Sequence, residues 1–312
     1  MTQKNPTLGV IFALVAAILF GINASTTKVI ITSGISPEQV VFFRSLSAGL
    51  IALTWVLFTN PKSMKVPARL IPRLLLLGVV GVGMLQWTYS QAVYYLPIGI
   101  ALLIEYTAVL WVPIIALLIF REKVGKQIWL GAALVLIGLS VVANIWDSEL
   151  NPIGIFFGIA AAASLTTHFL TGERVQRYLP TNVTMAYGMS IATLFFLPFA
   201  DLGSLSPEIL GASVDLGGNL AGTVVPLWAG LIFMGVFGSF APMALIYLAL
   251  RNLSATLVGV VATAETVLAA LFALWWLGET ISGTQSLGGI VVIAGILLAQ
   301  TARKQKAVKV VD

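Results

Sequence analysis

Five ionisable side chains lie inside long hydrophobic stretches of this chain: Lys28, Arg44, Glu105, His168 and Glu265. Ionisable groups in hydrocarbon are costly and normally face a cavity or an opposite charge. An arginine there can bind a carboxylate, and a carboxylate can bind an ammonium group or carry a proton. These residue types therefore favour the binding of a small charged solute.

Arg44 and Glu105 are expected at the same depth in the membrane. Each lies seven residues into a predicted helix entering from the same face, roughly 10 Å below the surface at about 1.5 Å per residue. This depth predicts a Glu105–Arg44 ion pair, which would form an outer gate or bind a substrate carboxylate. A purely structural ion pair is the alternative. Lys28, near the same end of the first helix, joins the pair or extends to the lipid headgroups.

Glu265 is expected close to the middle of the membrane, because it lies deep inside the ninth hydrophobic span. A carboxylate at that depth suits a substrate ammonium group or a coupled proton, and a protonated Glu bonded between helices is the alternative. In the repeat described below, Glu105 aligns with Ala262, one helical turn from Glu265. The two carboxylates thus occupy similar faces of equivalent helices, which favours a cavity-lining role for both.

Asn23 and His168 also align in the repeat, and both are polar residues inside spans. They are expected to hydrogen-bond a substrate, with His168 also able to accept a proton, or to bond between helices. Trp87 and Tyr106 lie deep enough to stack on a substrate side chain, with core packing as the alternative. The candidate binding or coupling residues are therefore Asn23, Arg44, Trp87, Glu105, Tyr106, His168 and Glu265.

The elements that position these residues are predicted to be helices solvated by lipid. Of 312 residues, 59% are hydrophobic and only 9% are charged, whereas soluble proteins carry roughly 25% charged residues. Ten spans are each long enough to cross about 30 Å of hydrocarbon as a helix. They lie at roughly 8–30, 37–59, 70–94, 98–120, 127–146, 153–175, 182–200, 225–249, 254–277 and 284–302.

The chain repeats itself at a spacing of 157 residues, so that segment 70–143 returns as 227–300 without a gap. The aligned pairs include Gly78 and Gly235, Gly81 and Gly238, Glu122 and Glu279, Gly131 and Gly288, and Gly138 and Gly295. Each half holds five spans, an odd number, so the second copy begins on the opposite side of the membrane. We therefore predict an all-α membrane protein with two inverted five-helix repeats, 1–148 and 149–303, and a tail, 304–312. Such repeats are typical of secondary transporters.

The basic residues give the orientation. With a cytoplasmic N-terminus, 15 of the 17 Lys and Arg residues fall on the inner side, which predicts a cell-membrane protein with both termini inside. The charge follows topology rather than one face, which excludes a nucleic-acid partner. The chain has no Cys and one His, so no metal or cofactor is expected. The outer loop 201–224 is expected to have no regular structure. A homodimer is left open.

The chain resembles the drug/metabolite transporter superfamily, in its ten-helix form with two tandem EamA-type units. The resemblance covers nearly the whole chain and rests on Phe20-Gly21-Ile22-Asn23, Phe43-Arg44 and Trp276-Leu277-Gly278-Glu279-Thr280. The first copy departs from the last phrase, because Phe120-Arg121-Glu122 lacks the Gly. The resemblance implies secondary transport of small metabolites, often export of amino acids and related compounds.

Two other classes compete with a transporter. A membrane-embedded enzyme would need a nucleophile with a base or a metal site, and the sequence offers neither pattern. A sensor bundle would need an output module, and only ten residues follow Ala302. Proton antiport is the expected coupling, on the strength of Glu105, Glu265 and His168, with facilitated diffusion as the alternative.

Overall fold

The computed structural model describes residues 5–147, 150–205, 207–278, 280 and 282–308. Within these residues, nine helices are long and apolar enough to cross a membrane, and one further apolar helix is shorter. They are α1 Pro6–Thr32, α2 Pro37–Thr59, α3 Ala68–Tyr95, α4 Ile98–Leu118, α5 Lys126–Val142, α6 Pro152–Gln176, α7 Thr181–Phe199, α8 Leu227–Asn252, α9 Ala255–Leu277 and α10 Gly283–Val308. The predicted all-α fold with ten helices is confirmed, and α5 is the short one. The aligned Glu279 and the boundary at 148–149 lie outside the described residues.

The two repeats begin with the same local chemistry. The side chain of Asn5 accepts a hydrogen bond from the backbone N–H of Leu8 at 3.1 Å, and that of Asn151 accepts from Ile153 at 2.9 Å. A proline follows each Asn at the first helical position, where its missing N–H has no intrahelical partner to lose. The Asn-Pro pairs therefore start α1 and α6 at equivalent points.

Several helices are interrupted near their middle. α3 and α8 contain the π-helical segments Leu77–Met84 and Val236–Phe240, which we call the wide turns. Regular helix in α4 stops at Glu105 and resumes at Ala108, and α9 is interrupted at Thr263. π-Helical turns and broken membrane helices are common at functional sites.

α5 and α10 pack closely through glycines. A Cβ on Gly131 would lie 2.7 Å from the carbonyl oxygen of Gly295, and a Cβ on Gly138 would lie 2.7 Å from that of Gly288. The repeat aligns Gly131 with Gly288 and Gly138 with Gly295, so a two-fold rotation exchanges the two contacts. The same rotation relates the packing of α1 on α8 to that of α6 on α3. This is the packing that inverted repeats require.

Gly138→Val is expected to destabilise the bundle. Its new Cβ would meet backbone atoms of Gly288 and Val292 at 2.7 Å, and overpacking of this kind costs about 1–3 kcal/mol. The midpoint of thermal unfolding in detergent should fall. Gly283→Ala is the matched control, because nothing lies within 4 Å of a Cβ there. Equal midpoints for the two variants would contradict the close packing of α5 on α10.

The expectation of an unstructured loop at 201–224 is wrong. The loop forms a helical turn, Pro207–Gly211, and a two-stranded antiparallel sheet of β1, Ser213–Asp215, and β2, Val224–Pro226. The indole of Trp276 donates to the carbonyl oxygen of Leu216 at 2.9 Å, which fixes the loop to α9. We call this side of the bundle the hairpin end, and the side with Lys62, Arg121, Arg177 and Arg251 the basic end.

Asp215 holds the turn of this hairpin. Its carboxylate accepts from the backbone N–H groups of Gly217 at 2.8 Å and Gly222 at 3.0 Å. These bonds, that with Gly217 first, lower the pKa of Asp215 below its ordinary 3.8. A lowered carboxyl pKa contributes stability that is present above the unfolded pKa and lost as the pH falls through the folded one.

Asp215→Asn is therefore expected to loosen the hairpin at neutral pH and to remove its acid sensitivity. The measurement is the rate at which proteinase K cuts between residues 216 and 223. Glu208→Gln removes a neighbouring exposed carboxylate in the same loop and should leave that rate unchanged. Equal rates of cleavage in the Asp215 variant and the parent protein would contradict the assignment.

Candidate functional site

A cavity at the centre of the bundle contains about 590 Å³ of atom-free space, counting the part open to solvent. Six of the seven candidate residues line it, from five helices and both repeats: Asn23, Arg44, Glu105, Tyr106, His168 and Glu265. Much of the remaining wall is apolar and includes Phe20, Leu85, Phe169, Met243 and Ile246. The cavity thus combines a few polar groups with an apolar surface, as small-molecule sites usually do.

Trp87 is placed elsewhere. Its indole N–H donates to the Glu38 carboxylate at 2.7 Å, and its ring packs edge-on against Phe157 with centroids 5.4 Å apart. Because it is not among the cavity-lining residues, the structure gives no support for the predicted stacking on a substrate.

Arg44 is bound by the wide turn of α8. The guanidinium donates from Nε to Ser239 Oγ at 2.9 Å and from Nη2 to the carbonyl oxygen of Gly238 at 2.8 Å. A regular helix would bond that carbonyl to the N–H of residue 242, but residue 242 is proline and has none. Arg44 therefore supplies a donor where the backbone lacks one.

The predicted Glu105–Arg44 ion pair is wrong. The ion pairs between described residues, counted to 4.0 Å, do not include it, although both side chains line the same cavity. The guanidinium is instead directed to Gly238 and Ser239. The Arg44 Nη1 atom and the Glu105 Oε2 atom are both buried without a hydrogen-bond partner.

His168 is held by the other wide turn in an equivalent way. Its Nδ1 lies 2.8 Å from the carbonyl oxygen of Gly81, which aligns with Gly238 in the repeat. The N–H of Leu85 bonds the carbonyls of Val80 and Val82, so it leaves that of Gly81 to the imidazole. A carbonyl only accepts, so Nδ1 carries the hydrogen and Nε2 remains for another partner.

Glycine is required at Gly81 and Gly238, one in each wide turn, by the close approach of other helices. A Cβ on Gly81 would lie 3.1 Å from the Cα of His168, and a Cβ on Gly238 would overlap the side chain of Asn23. The predicted pairing of Asn23 with His168 in the repeat thus corresponds to two equivalent helix crossings at the cavity.

Glu265 is joined to the opposite repeat. The hydroxyl of Tyr106 donates to Glu265 Oε2 at 2.5 Å. Tyr106 directly follows the last helical residue of the first segment of α4, Glu105, and Glu265 follows the interruption of α9. The two carboxylates therefore lie beside the two helix interruptions, where cleft-lining groups of broken membrane helices are found.

The cavity wall holds an excess of polar atoms without partners. They are Asn23 Oδ1, Arg44 Nη1, Tyr89 Oη, Glu105 Oε2 and His168 Nε2. A buried polar atom without a hydrogen bond costs about 1–3 kcal/mol, so such atoms point to a polar ligand or water. Tyr89 is not among the candidates predicted from sequence. The feature that could have indicated it is its spacing of three residues from Gln86, which puts both polar side chains on one face of α3.

The model of the EamA-like transporter family matches residues 7–144 and 152–301, one match for each repeat. The chain belongs to the EamA-like transporter family. The resemblance seen in the sequence is thereby confirmed, and the EamA-like chain is a multi-pass membrane protein of a transporter family.

Relatives of this EamA-like chain are named transporters. The uncharacterized transporter YdfC of Bacillus subtilis is 26% identical over 84% of this chain and 81% of its own. The threonine/homoserine exporter RhtA of Escherichia coli is 25% identical over 75% of this chain and 73% of its own. A protein of known crystal structure superposes with a TM-score of 0.74 over 96% of this chain and 98% of its own, at 17% identity, and shows the fold. These relatives point to a transporter rather than an enzyme.

Proposed function

We propose that this EamA-family protein is a secondary transporter that exports a small zwitterionic metabolite of the amino-acid class. The observation that carries the proposal is the pair of unpartnered charged atoms, Arg44 Nη1 and Glu105 Oε2, in one buried cavity. A guanidinium matches a carboxylate, and a carboxylate matches an ammonium group. A zwitterion supplies both charges, whereas a simple anion or cation would leave one of them unpaired.

The lining of the cavity supports the same class of solute. Asn23 and His168 add hydrogen-bonding atoms, and Phe20 and Met243 give an apolar wall for a side chain. One relative carries the name of a threonine/homoserine exporter, which agrees with an amino-acid substrate.

Proton coupling is part of the proposal. Glu265 has one carboxylate oxygen bound by the Tyr106 hydroxyl, so its charge is partly compensated within the protein. It is therefore the carboxylate better suited to exchange a proton, while Glu105 faces the substrate ammonium. As part of the proposal, the basic end is taken as the cytoplasmic side of the cell membrane, because membrane proteins concentrate Lys and Arg there. Both termini would then be cytoplasmic.

Transport into proteoliposomes tests this function. Purified protein is reconstituted, and the uptake of a panel of amino acids, organic acids and amines is measured with and without a pH gradient. Saturable uptake restricted to zwitterions, and accelerated by the gradient, is the expected result. Uptake of anions or amines alone would overturn the zwitterion assignment. Zwitterion uptake that ignores the gradient would replace proton coupling with facilitated diffusion.

A further inference from the structure

The two ends of the bundle are not equally closed, although the repeats are equivalent. At the basic end, α6 packs against the second half of α8 and the first half of α9. At the hairpin end, the equivalent helix is α1, which packs less extensively on the second half of α3. Among the described residues it has at most a marginal contact with the first half of α4. The difference indicates a bundle closed at the basic end and looser at the hairpin end.

A buried carboxylate fastens the closed end. Glu173, in the last turn of α6, is 7% exposed and accepts a hydrogen bond at Oε2 from the backbone N–H of Ala255 at 2.9 Å. Ala255 is the first residue of α9, where free N–H groups and the helix dipole favour an anion. The other oxygen of Glu173 accepts from Arg177 at 3.0 Å. The contact thus joins the end of α6 to the start of α9.

The neighbouring residue allows this closure. A Cβ on Gly172 would lie 3.0 Å from Leu250 Cδ1 and 3.2 Å from Tyr247 Cε1, so a larger residue would require these side chains of α8 to shift. The alignment of Asn23 with His168 places Thr27 on Gly172 and Lys28 on Glu173. The hairpin end therefore has a bulkier residue and a cation where the basic end has glycine and an anion. A cation is disfavoured at a helix N-terminus, so Lys28 is not suited to bind the start of α4 in the way that Glu173 binds the start of α9.

We propose that Glu173 acts as the latch of the basic end, and that the resting transporter keeps its cavity closed there and turned toward the hairpin end. The inference rests on the alternating access contained in the proposed function. Glu173 lies outside the cavity lining, so it acts by positioning α6 and α9 rather than by touching the solute. When the basic end opens, the carboxylate must release the Ala255 amide.

The chain has no cysteine, so a single introduced thiol reports access to the cavity. Ala262→Cys, in the cavity wall, is the reporter, and its reaction with a membrane-impermeant methanethiosulfonate is followed in vesicles of both orientations. Glu173→Ala and Ala255→Pro remove opposite sides of the same hydrogen bond. Proline is favoured at the first helical position, and Ser254 before it is already extended, as a residue before proline must be.

Each variant is expected to raise the ratio of labelling from the basic end to labelling from the hairpin end roughly tenfold, as for one hydrogen bond to a charged group. The double variant should add nothing to either single one, because both remove one interaction. Glu173→Gln keeps an acceptor without the charge and should fall between. Glu122→Gln, at the same end, removes a half-exposed carboxylate 3.8 Å from Arg174 and should leave the ratio unchanged.

An unchanged ratio in folded Ala255→Pro and Glu173→Ala proteins would overturn the latch. An equal rise with Glu122→Gln would also overturn it, since any charge loss at that end would then suffice. The labelling needs no transported solute, so its result stands apart from the uptake panel. If no zwitterion is taken up but the labelling ratio shifts, the zwitterion assignment is rejected and the role of Glu173 as the latch is supported.

Discussion

Arg44→Gln is expected to lower the efficiency of transport about 100-fold, the loss typical when one member of a buried charge pair is truncated. The substitution removes the positive charge that we assign to the substrate carboxylate. Glutamine keeps a hydrogen-bond donor near Gly238 and Ser239, so part of the contact with the wide turn of α8 is retained. The measurement is exchange of a labelled zwitterion in proteoliposomes, together with thermal unfolding in detergent.

The comparison with unfolding separates binding from structure. Arg44 donates two hydrogen bonds to α8, so a purely structural arginine would lose stability and transport together. If Arg44 binds the substrate, the substrate should raise the unfolding temperature of the parent protein but not that of the variant. Arg251→Gln removes an exposed positive charge at the basic end and serves as control. Full exchange activity in folded Arg44→Gln would remove this residue from the site.

Glu105→Gln and Glu265→Gln are expected to lose different parts of the transport activity. Glu105 Oε2 is unpartnered and is assigned to the substrate ammonium, so its neutral variant should lose both exchange and gradient-driven uptake. The loss should be about 30-fold or more, as for a truncated buried charge pair. Glu265 is assigned to the proton, so its permanently neutral variant should keep exchange and lose the response to a pH gradient.

Tyr106→Phe checks the second assignment, because it removes only the hydroxyl that donates to Glu265. It should weaken the response to the gradient while the exchange of substrate continues. Identical losses of exchange in the two glutamate variants would contradict the division of roles. If Glu265→Gln keeps a normal response to the pH gradient, the coupled proton must be assigned to another group.

The helices and their symmetry follow from sequence because hydrophobic length and an odd number of spans per repeat decide them. The wide turns do not follow in the same way. Their hydrogen bonds depend on the packing of Gly81 and Gly238 against other helices, and a glycine-rich span is equally compatible with regular helix. The folded outer loop is also invisible to composition, since Asp215 and Trp276 organise it from only two positions.

The sequence predicts which residues line the site, but it does not predict which groups their side chains contact. A polar residue inside a hydrophobic span marks Asn23, Glu105 and His168 without any structure. Depth along a helix is also readable, whereas the direction of a side chain around the helix depends on packing. Arg44 shows the difference, because its depth suggests Glu105 and its direction leads to Gly238. Pro242 was the available signal, since its missing N–H leaves the carbonyl of residue 238 in need of a donor.

The contact between Glu173 and Ala255 affects the solute concentration at which the cell begins to export. When the conformation that accepts a solute from one side is rarely populated, its apparent dissociation constant rises by the inverse of that population. A latch that favours closure at the basic end, the proposed cytoplasmic side, by about tenfold would thus weaken apparent affinity there about tenfold. Solute at ordinary concentration would be retained, and only an excess would leave. A single buried carboxylate would then set a concentration threshold for efflux, without touching the solute.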